Sequence, residues 1–311
     1  MNIIYYFFKL IRPRQWIKNF ALFTAAVFGG QIFTEDILVR VLWGFFAFSL
    51  LSSSTYVIND ILDAEKDRRH PFKKLRPIAS HTVSQNQALA LFFFLITISF
   101  VVSYQLSVIF FLITLVYLLL QLSYSMLFKS IVVFDILFIA TGYILRIFAG
   151  EVLSGYHISV WLLLTTVSLS LFLAVGKRRS ELTLLKGVTT EQIAEIRKSL
   201  SHYSDRLLDT YSMMFATSTL VFYSLFTFLE STRGIRIPDI LLPQFLPDYL
   251  QRKWLMITIL PVTYGVMRYL QDIYEKSEGE SPERVLLSDK SLLASVIIWV
   301  VLVVFVIYVI G

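Results

Sequence analysis

Long apolar runs, broken by short charged stretches, set the layout of this chain. Nine runs stand out, at roughly 20–35, 37–58, 86–104, 106–127, 131–150, 157–176, 208–230, 254–272 and 291–310. Wound as helices, runs near 20 residues match a hydrocarbon core of about 30 Å. Lipid offers no partner to a bare backbone group, so each run is expected to be helical. None alternates with period two, as a strand of a membrane barrel would. The pattern predicts an all-α membrane protein with nine transmembrane helices, a single integral-membrane domain over residues 1–311.

Composition agrees, with 56% hydrophobic residues, 16% charged and a mean hydropathy of +0.69. Residues 1–19 read as an interfacial segment, with Tyr5, Tyr6, Phe7, Phe8 and Trp16 at the membrane surface. The apolar stretch Ile3 to Phe8 is too short for a secretory signal. Of the 28 Lys and Arg, 22 fall on one side of the expected bundle and 5 on the other, with Arg146 inside a span. The positive-inside rule puts the richer side in the cytoplasm. That places the N-terminus and the two long loops, 59–85 and 177–206, inside and the C-terminus outside, a multi-pass plasma-membrane layout. The net charge of +6 suits anionic lipid or phosphate ligands, and no nucleic-acid module claims it. The chain has no cysteine, which excludes disulfides and thiolate metal sites. His70, His81, His157 and His202 are scattered without metal-ligand spacing, and no Gly-rich phosphate loop is present.

The densest chemistry lies where the second run ends, at Asn59-Asp60-Ile61-Leu62-Asp63-Ala64-Glu65-Lys66-Asp67. On a continuous helix Asn59, Asp63, Asp67 and Asp60 fall at roughly 0°, 40°, 80° and 100°, which puts four oxygen donors on one face. A hard cation such as Mg²⁺, bridging to a phosphorylated ligand, would supply the counter-charge. The alternative is a solvated, charged helix end. The same loop carries Lys66, Arg68, Arg69, Lys73, Lys74 and Arg76.

The second loop opens with Gly176-Lys177-Arg178-Arg179-Ser180-Glu181. Lys177 and Glu181 stand four apart and can pair with each other, leaving Arg178 and Arg179 for headgroups or for phosphate, which suits the guanidinium fork. Asp135 and Arg146 lie in the fifth run, about 20° apart around a helix and about 16 Å along it. Ionisable residues inside a span usually face a bundle interior or a cavity. Asp135 is also near enough to the cytoplasmic end to be interfacial, and Arg146 near enough to the far end to snorkel outward. Asp205 and Asp209 form an i, i+4 pair at the entry to the seventh helix. They could be a displaced second metal site, but the helix dipole favours two acids there without any ligand, which is the preferred reading.

Asn59-Asp60-x-x-Asp63-x-x-x-Asp67 after a membrane helix resembles the first aspartate-rich motif of the UbiA superfamily of intramembrane prenyltransferases. That resemblance implies a UbiA-like bundle of nine helices around a central cavity, capped by cytoplasmic loops, with Mg²⁺ held by acidic motifs. Further stretches are similar to the branch that transfers phosphoribose to a polyprenyl phosphate. They are Arg12-Pro13-Arg14-Gln15-Trp16-Ile17-Lys18-Asn19, Asp67-Arg68-Arg69-His70-Pro71, Arg76-Pro77-Ile78-Ala79, Gly176-Lys177-Arg178 with Glu181, Arg268-Tyr269 and Gly279-Glu280-x-Pro282-Glu283. The branch implies phosphoribosyl diphosphate as donor and a polyprenyl phosphate lipid as acceptor, in synthesis of cell-envelope glycan precursors. Aromatic prenyltransferases place a second acidic motif where this chain has Lys177, Arg178 and Arg179. More anionic groups on the substrates favour that exchange of acids for bases.

The expected site is then Asn59, Asp63 and Asp67 as metal ligands with Asp60 in support. Lys18, Lys74, Arg76, Lys177, Arg178 and Arg146 are expected to bind substrate. A prenyltransferase using a prenyl diphosphate, and more distantly a transporter built on Asp135 and Arg146, stay open, as does a homo-oligomer.

Overall fold

The computed structural model describes residues 3–69, 73–185, 198–229, 254–274 and 282–310. Residues 70–72 and 186–197 of the two long loops lie outside the described residues. So do Arg233, Arg236, Arg252, Lys253 and the Gly279-Glu280 part of the late motif. Every regular element among the described residues is helical. Seven helices are long and apolar enough to cross a membrane. They are Glu35–Leu62, Gln85–Leu106, Val108–Met126, Phe134–Ser154, Val160–Leu184, Asp205–Leu229 and Lys290–Ile310.

Two of the nine expected spans take another form. The stretch at 20–35 belongs to a 3₁₀ segment, Pro13–Phe23, which runs into a five-residue α-helix, Thr24–Phe28. Gly30, at φ +70°, then turns the chain, a conformation glycine adopts without a Cβ penalty. The stretch at 254–272 is a 3₁₀ turn, Trp254–Thr258, followed by the helix Ile259–Tyr274 of 16 residues. That helix is about 24 Å long, short of a hydrocarbon core of about 30 Å.

In chain order the α-helices are α1 (Ile3–Ile11), α2 (Thr24–Phe28), α3 (Glu35–Leu62), α4 (Ala64–Arg69), α5 (Gln85–Leu106), α6 (Val108–Met126) and α7 (Phe134–Ser154). They continue with α8 (Val160–Leu184), α9 (Asp205–Leu229), α10 (Ile259–Tyr274), α11 (Pro282–Ser288) and α12 (Lys290–Phe305). They fall into two compact units. The first comprises Met1–Ala26, Gln31–Tyr156 and Gly187–Tyr203, and the second Val27–Gly30, His157–Lys186 and Ser204–Gly311.

In the first unit α3 is the central helix, packed against α1, α5, α6, α7 and the 3₁₀ segment. Its sequence explains that position. Ser49 to Thr55 are all buried, and small hydroxylated residues allow close helix approach in lipid. Three hydroxyls are satisfied within the helix, Ser53 by Ser49 O, Ser54 by Leu51 O and Thr55 by Ser52 O, while those of Ser49 and Ser52 meet Asn19. The 3₁₀ segment passes so near α7 that a Cβ on Gly150 would collide with the carbonyl oxygen of Leu22. In the second unit α8 packs along α9, and α10 along α12. Leu162, Tyr223, Phe226, Leu255 and Val306 form an apolar core there. The Tyr223 hydroxyl joins Thr258 Oγ1 at 2.6 Å and accepts from the Trp299 indole at 2.7 Å.

Candidate active site

The acidic motif is not one straight helix. α3 ends at Leu62, Asp63 caps it at φ −93°, ψ 0°, and α4 restarts at Ala64. The cap N–H still reaches Asn59 O, and Asp67 N–H reaches Asp63 O at 2.8 Å, so the break is a single bent residue. The consequence is a division of the acids. Asp60 and Asp67 turn towards one point, and Asp63 turns elsewhere.

That shared point is held by Arg76. Its Nη1 donates to Asp60 Oδ1 at 3.0 Å and to Asp67 Oδ2 at 2.7 Å. Asp60 also accepts from Arg12 Nη2 at 2.5 Å. Both carboxylates are buried, Asp60 at 2% exposure and Asp67 at 5%. Local folding accounts for the two arginines. Arg76 follows the 3₁₀ turn Lys73–Leu75, and buried Ile78 and Val83 pin its loop among Leu10, Val57, Ala64 and Ala88. Arg12 sits between α1 and the 3₁₀ segment at φ 53°, ψ 62°, just before Pro13, with its guanidinium 5.4 Å from the Tyr56 ring centre. Burial pushes the Asp67 carboxyl above the ordinary carboxylate range, and the Arg76 ion pair offsets this only in part.

Asp63 pairs with Lys129, Oδ1 to Nζ, at 2.5 Å. Lys129 sits in the 3₁₀ turn Phe128–Ser130 after α6. Neither Arg12 nor Lys129 was among the expected site residues. Lys129 had a signal in the sequence, as the one basic residue of the short loop after the fourth run.

The other expected residues distribute as follows. Lys18 donates to Gln15 Oε1 at 2.6 Å, and Lys74 is exposed. Lys177 and Arg178 belong to the second unit, on α8. Glu181 accepts from Arg178 Nη1 at 2.6 Å, an i, i+3 pair, so Arg178 is not left for headgroups. Arg178 is fully buried. Arg179 is not left for headgroups, because its Nε holds Asp209 at 2.6 Å and its Nη1 holds Asp205 at 3.0 Å.

Arg146 does not snorkel outward. It is 3% exposed and donates to Asn19 Oδ1 at 2.7 Å, Gly142 O at 2.6 Å, Tyr117 OH at 2.8 Å and Ser52 Oγ at 3.5 Å. The rings of Phe48, Tyr117 and Tyr143 lie 4.9–5.6 Å from its guanidinium carbon. Neutral acceptors and ring faces therefore stabilise this cation.

Among the described residues no three His, Cys, Asp or Glu side chains form a ready cage for a metal. Mg²⁺ rarely uses such a cage. It takes one or two carboxylates together with water and substrate phosphates. Asp60 and Asp67, two carboxylates facing one cationic atom, match that donor chemistry, and Asn59 precedes Asp60 on α3. The residues present fit a hard divalent ion.

The UbiA prenyltransferase family profile matches residues 19–182. The decaprenyl-phosphate phosphoribosyltransferase of Mycolicibacterium smegmatis is 35% identical over 303 residues, covering 96% of this chain and 91% of that protein. The protein of that name from Corynebacterium glutamicum is 32% identical, covering 97% and 86%. Among solved structures, a UbiA homologue from Archaeoglobus fulgidus bound to GPP and Mg²⁺ superposes with a TM-score of 0.70. That match is at 17% identity and covers 97% of this chain and 99% of that one. With the aspartate-rich motif in place at the end of α3 and the all-helical fold around it, the chain belongs to the UbiA prenyltransferase family and is an integral membrane protein.

Proposed function

We propose that this protein transfers phosphoribose from phosphoribosyl diphosphate to a polyprenyl phosphate, giving polyprenyl-phosphoryl phosphoribose and diphosphate. The observation that carries the proposal is near-full-length identity, at 32–35%, with proteins named for that reaction. The geometry supports it. Buried Asp60 and Asp67 pair with Arg12 and Arg76, and Asp63 nearby in sequence pairs with Lys129, so the motif offers carboxylates to a cation and guanidinium or ammonium groups to phosphate oxygens.

Bond making is simple for such a pair of substrates. An oxygen of the acceptor phosphate attacks the anomeric carbon of the ribose. The carbon–oxygen bond to the diphosphate breaks, and diphosphate leaves with the electron pair. The acceptor is already an anion at neutral pH, so no general base is needed. Asn59, Asp60 and Asp67 would hold Mg²⁺, which when bound neutralises charge on the leaving diphosphate. Asp63, paired with Lys129, would be a further carboxylate for that ion. Arg12 and Arg76 orient the diphosphate, and preorganised cations of this kind lower the cost of charge developing there. Lys18 and Lys74 are the remaining candidates for the other phosphates. Arg178, buried against Glu181, acts through the shape of α8.

We further propose nine membrane crossings, with the stretch ending in Thr24–Phe28 and the stretch Trp254–Tyr274 as the two shorter ones. The active-site loops would be cytoplasmic. The product fits a role in building cell-envelope glycan precursors.

The deciding experiment incubates purified full-length protein with phosphoribosyl diphosphate, Mg²⁺ and a polyprenyl phosphate, and follows the lipid by mass spectrometry. The ribosylated lipid is expected, and is expected to vanish with a chelator and with Asp67→Asn. A preference for geranyl or farnesyl diphosphate as donor would replace this reading with a prenyltransferase.

A further inference from the structure

Asp135 is a buried charge that the proposed reaction leaves unused. It stands in the first turn of α7 with no exposed surface. A carboxylate so placed is costly unless hydrogen bonds replace water. Its Oδ1 accepts from the Tyr203 hydroxyl at 2.8 Å, and its Oδ2 from Ser199 Oγ at 3.1 Å. Both partners come from the far end of the second long loop. Both are buried, and Ser199, Leu200 and Tyr203 belong to the first unit.

The same two hydroxyls also grip backbone. Ser199 Oγ lies 3.0 Å from the carbonyl oxygen of Lys129. Tyr203 OH accepts from the N–H of Val133 at 2.7 Å. Val133 has φ +68° and ψ −47°, which a β-branched residue adopts only when its surroundings hold it there. The turn between α6 and α7 is thus held at three points: the Lys129 carbonyl, the Val133 N–H and the Asp135 carboxylate. That turn carries the lysine whose Nζ meets Asp63 Oδ1.

We propose that Asp135, Ser199 and Tyr203 form a clamp that fixes this turn and so sets where Lys129 stands against the acidic motif. Its bearing on catalysis rests on the phosphoribosyl-transfer reading. All three are positioning residues. None touches Asp60, Asp63 or Asp67, and the effect passes through the backbone of Lys129. The clamp also ties the end of one cytoplasmic loop to the motif that opens the other.

Tyr203→Phe removes one hydroxyl that is both donor and acceptor and keeps the ring. Hydrogen exchange on the full-length protein should then quicken roughly tenfold across 127–135, with α5 unchanged, because the loss is local. Acylation of Lys129, measured against exposed Lys74 in the same molecule, should rise about threefold or more as the turn loosens. With substrates, kcat per folded enzyme should fall roughly tenfold to hundredfold while donor KM barely moves, as expected for a misplaced rather than a missing group. Ser199→Ala, a smaller change, should show the same pattern if Tyr203→Phe folds poorly, and Ser199→Thr should restore it. Unchanged exchange at 127–135, or unchanged Lys129 reactivity, defeats the clamp whatever reaction the protein performs. A loss confined to KM defeats the positioning role. A wild type that makes no ribosylated lipid refutes the reaction instead, and the exchange and acylation results still decide the clamp.

Discussion

At the scale of residues, Arg12, Asp60, Arg76 and Asp67 form an alternating run of charge in which no carboxylate stands without a cation. The acids were legible in the sequence because they recur within two helical turns. Arg76 was legible beside them as a base of the same loop, but the pairings with Arg12 and Lys129 were not. Arg12 reaches Asp60 across 48 positions, and Lys129 reaches Asp63 across 66. No local periodicity encodes such pairs. Arg146 makes the same point from inside the membrane. Its sequence position allowed a ligand role or an outward path, and the decisive contact, with Asn19, lies 127 residues away. Held by four neutral acceptors, one of them Asn19, Arg146 ties down the 3₁₀ segment that carries Lys18. Arg146→Gln would strip buried Asn19 and Tyr117 of a charged donor, at about 1–3 kcal/mol for a buried group left unpaired. The expected result is a lower unfolding midpoint in detergent with donor KM within about threefold of wild type. A rise in donor KM of about tenfold at unchanged stability would make Arg146 a substrate ligand after all.

At the scale of elements, most long apolar runs translated into long helices, with single glycines such as Gly44 and Gly142 carried inside them. The run at 37–58 became Glu35–Leu62, and the run at 86–104 became Gln85–Leu106. Ser84 closes the front of the latter with a capping box, exchanging hydrogen bonds with Gln87. Hydrophobicity alone did not show that 20–35 is not a helix of the same kind. Pro13 opens a 3₁₀ segment instead, and its path is fixed by the missing side chain of Gly150 on α7, a contact no single-sequence pattern reveals. Gly150→Ala tests that dependence. In an isolated helix the change would be favourable by about 1 kcal/mol. Here the new methyl meets a backbone oxygen that cannot rotate away, and overpacking of this sort costs about 1–3 kcal/mol. The variant should unfold at lower temperature and lose turnover, because Lys18 rides on the displaced segment and Arg12 borders it. A variant more stable than wild type and equally active would show that the segment moves freely.

At the scale of the whole molecule, the fold class was readable because a membrane protein must satisfy its backbone within each span, and helices do so locally. The grouping of helices into two units was not readable, since it depends on which apolar faces meet. Sidedness rests on a different kind of information, the uneven sharing of Lys and Arg between the loops. Each long loop that carries an expected substrate-binding cation falls on the side with 22 of the 28 basic residues. An active site for water-soluble phosphoribosyl diphosphate would then face the compartment where such phosphorylated sugars are made. The absence of cysteine from the sequence makes this testable one position at a time. Ser80→Cys in the first loop and Lys198→Cys in the second are exposed positions, as is His157→Cys between α7 and α8. In intact cells a membrane-impermeant maleimide should label only His157→Cys, and the other two should react after permeabilisation. Labelling of Ser80→Cys and Lys198→Cys in intact cells would invert the topology. It would also put the acidic motif on the face where no phosphoribosyl diphosphate is supplied, which would remove the physical basis for that donor.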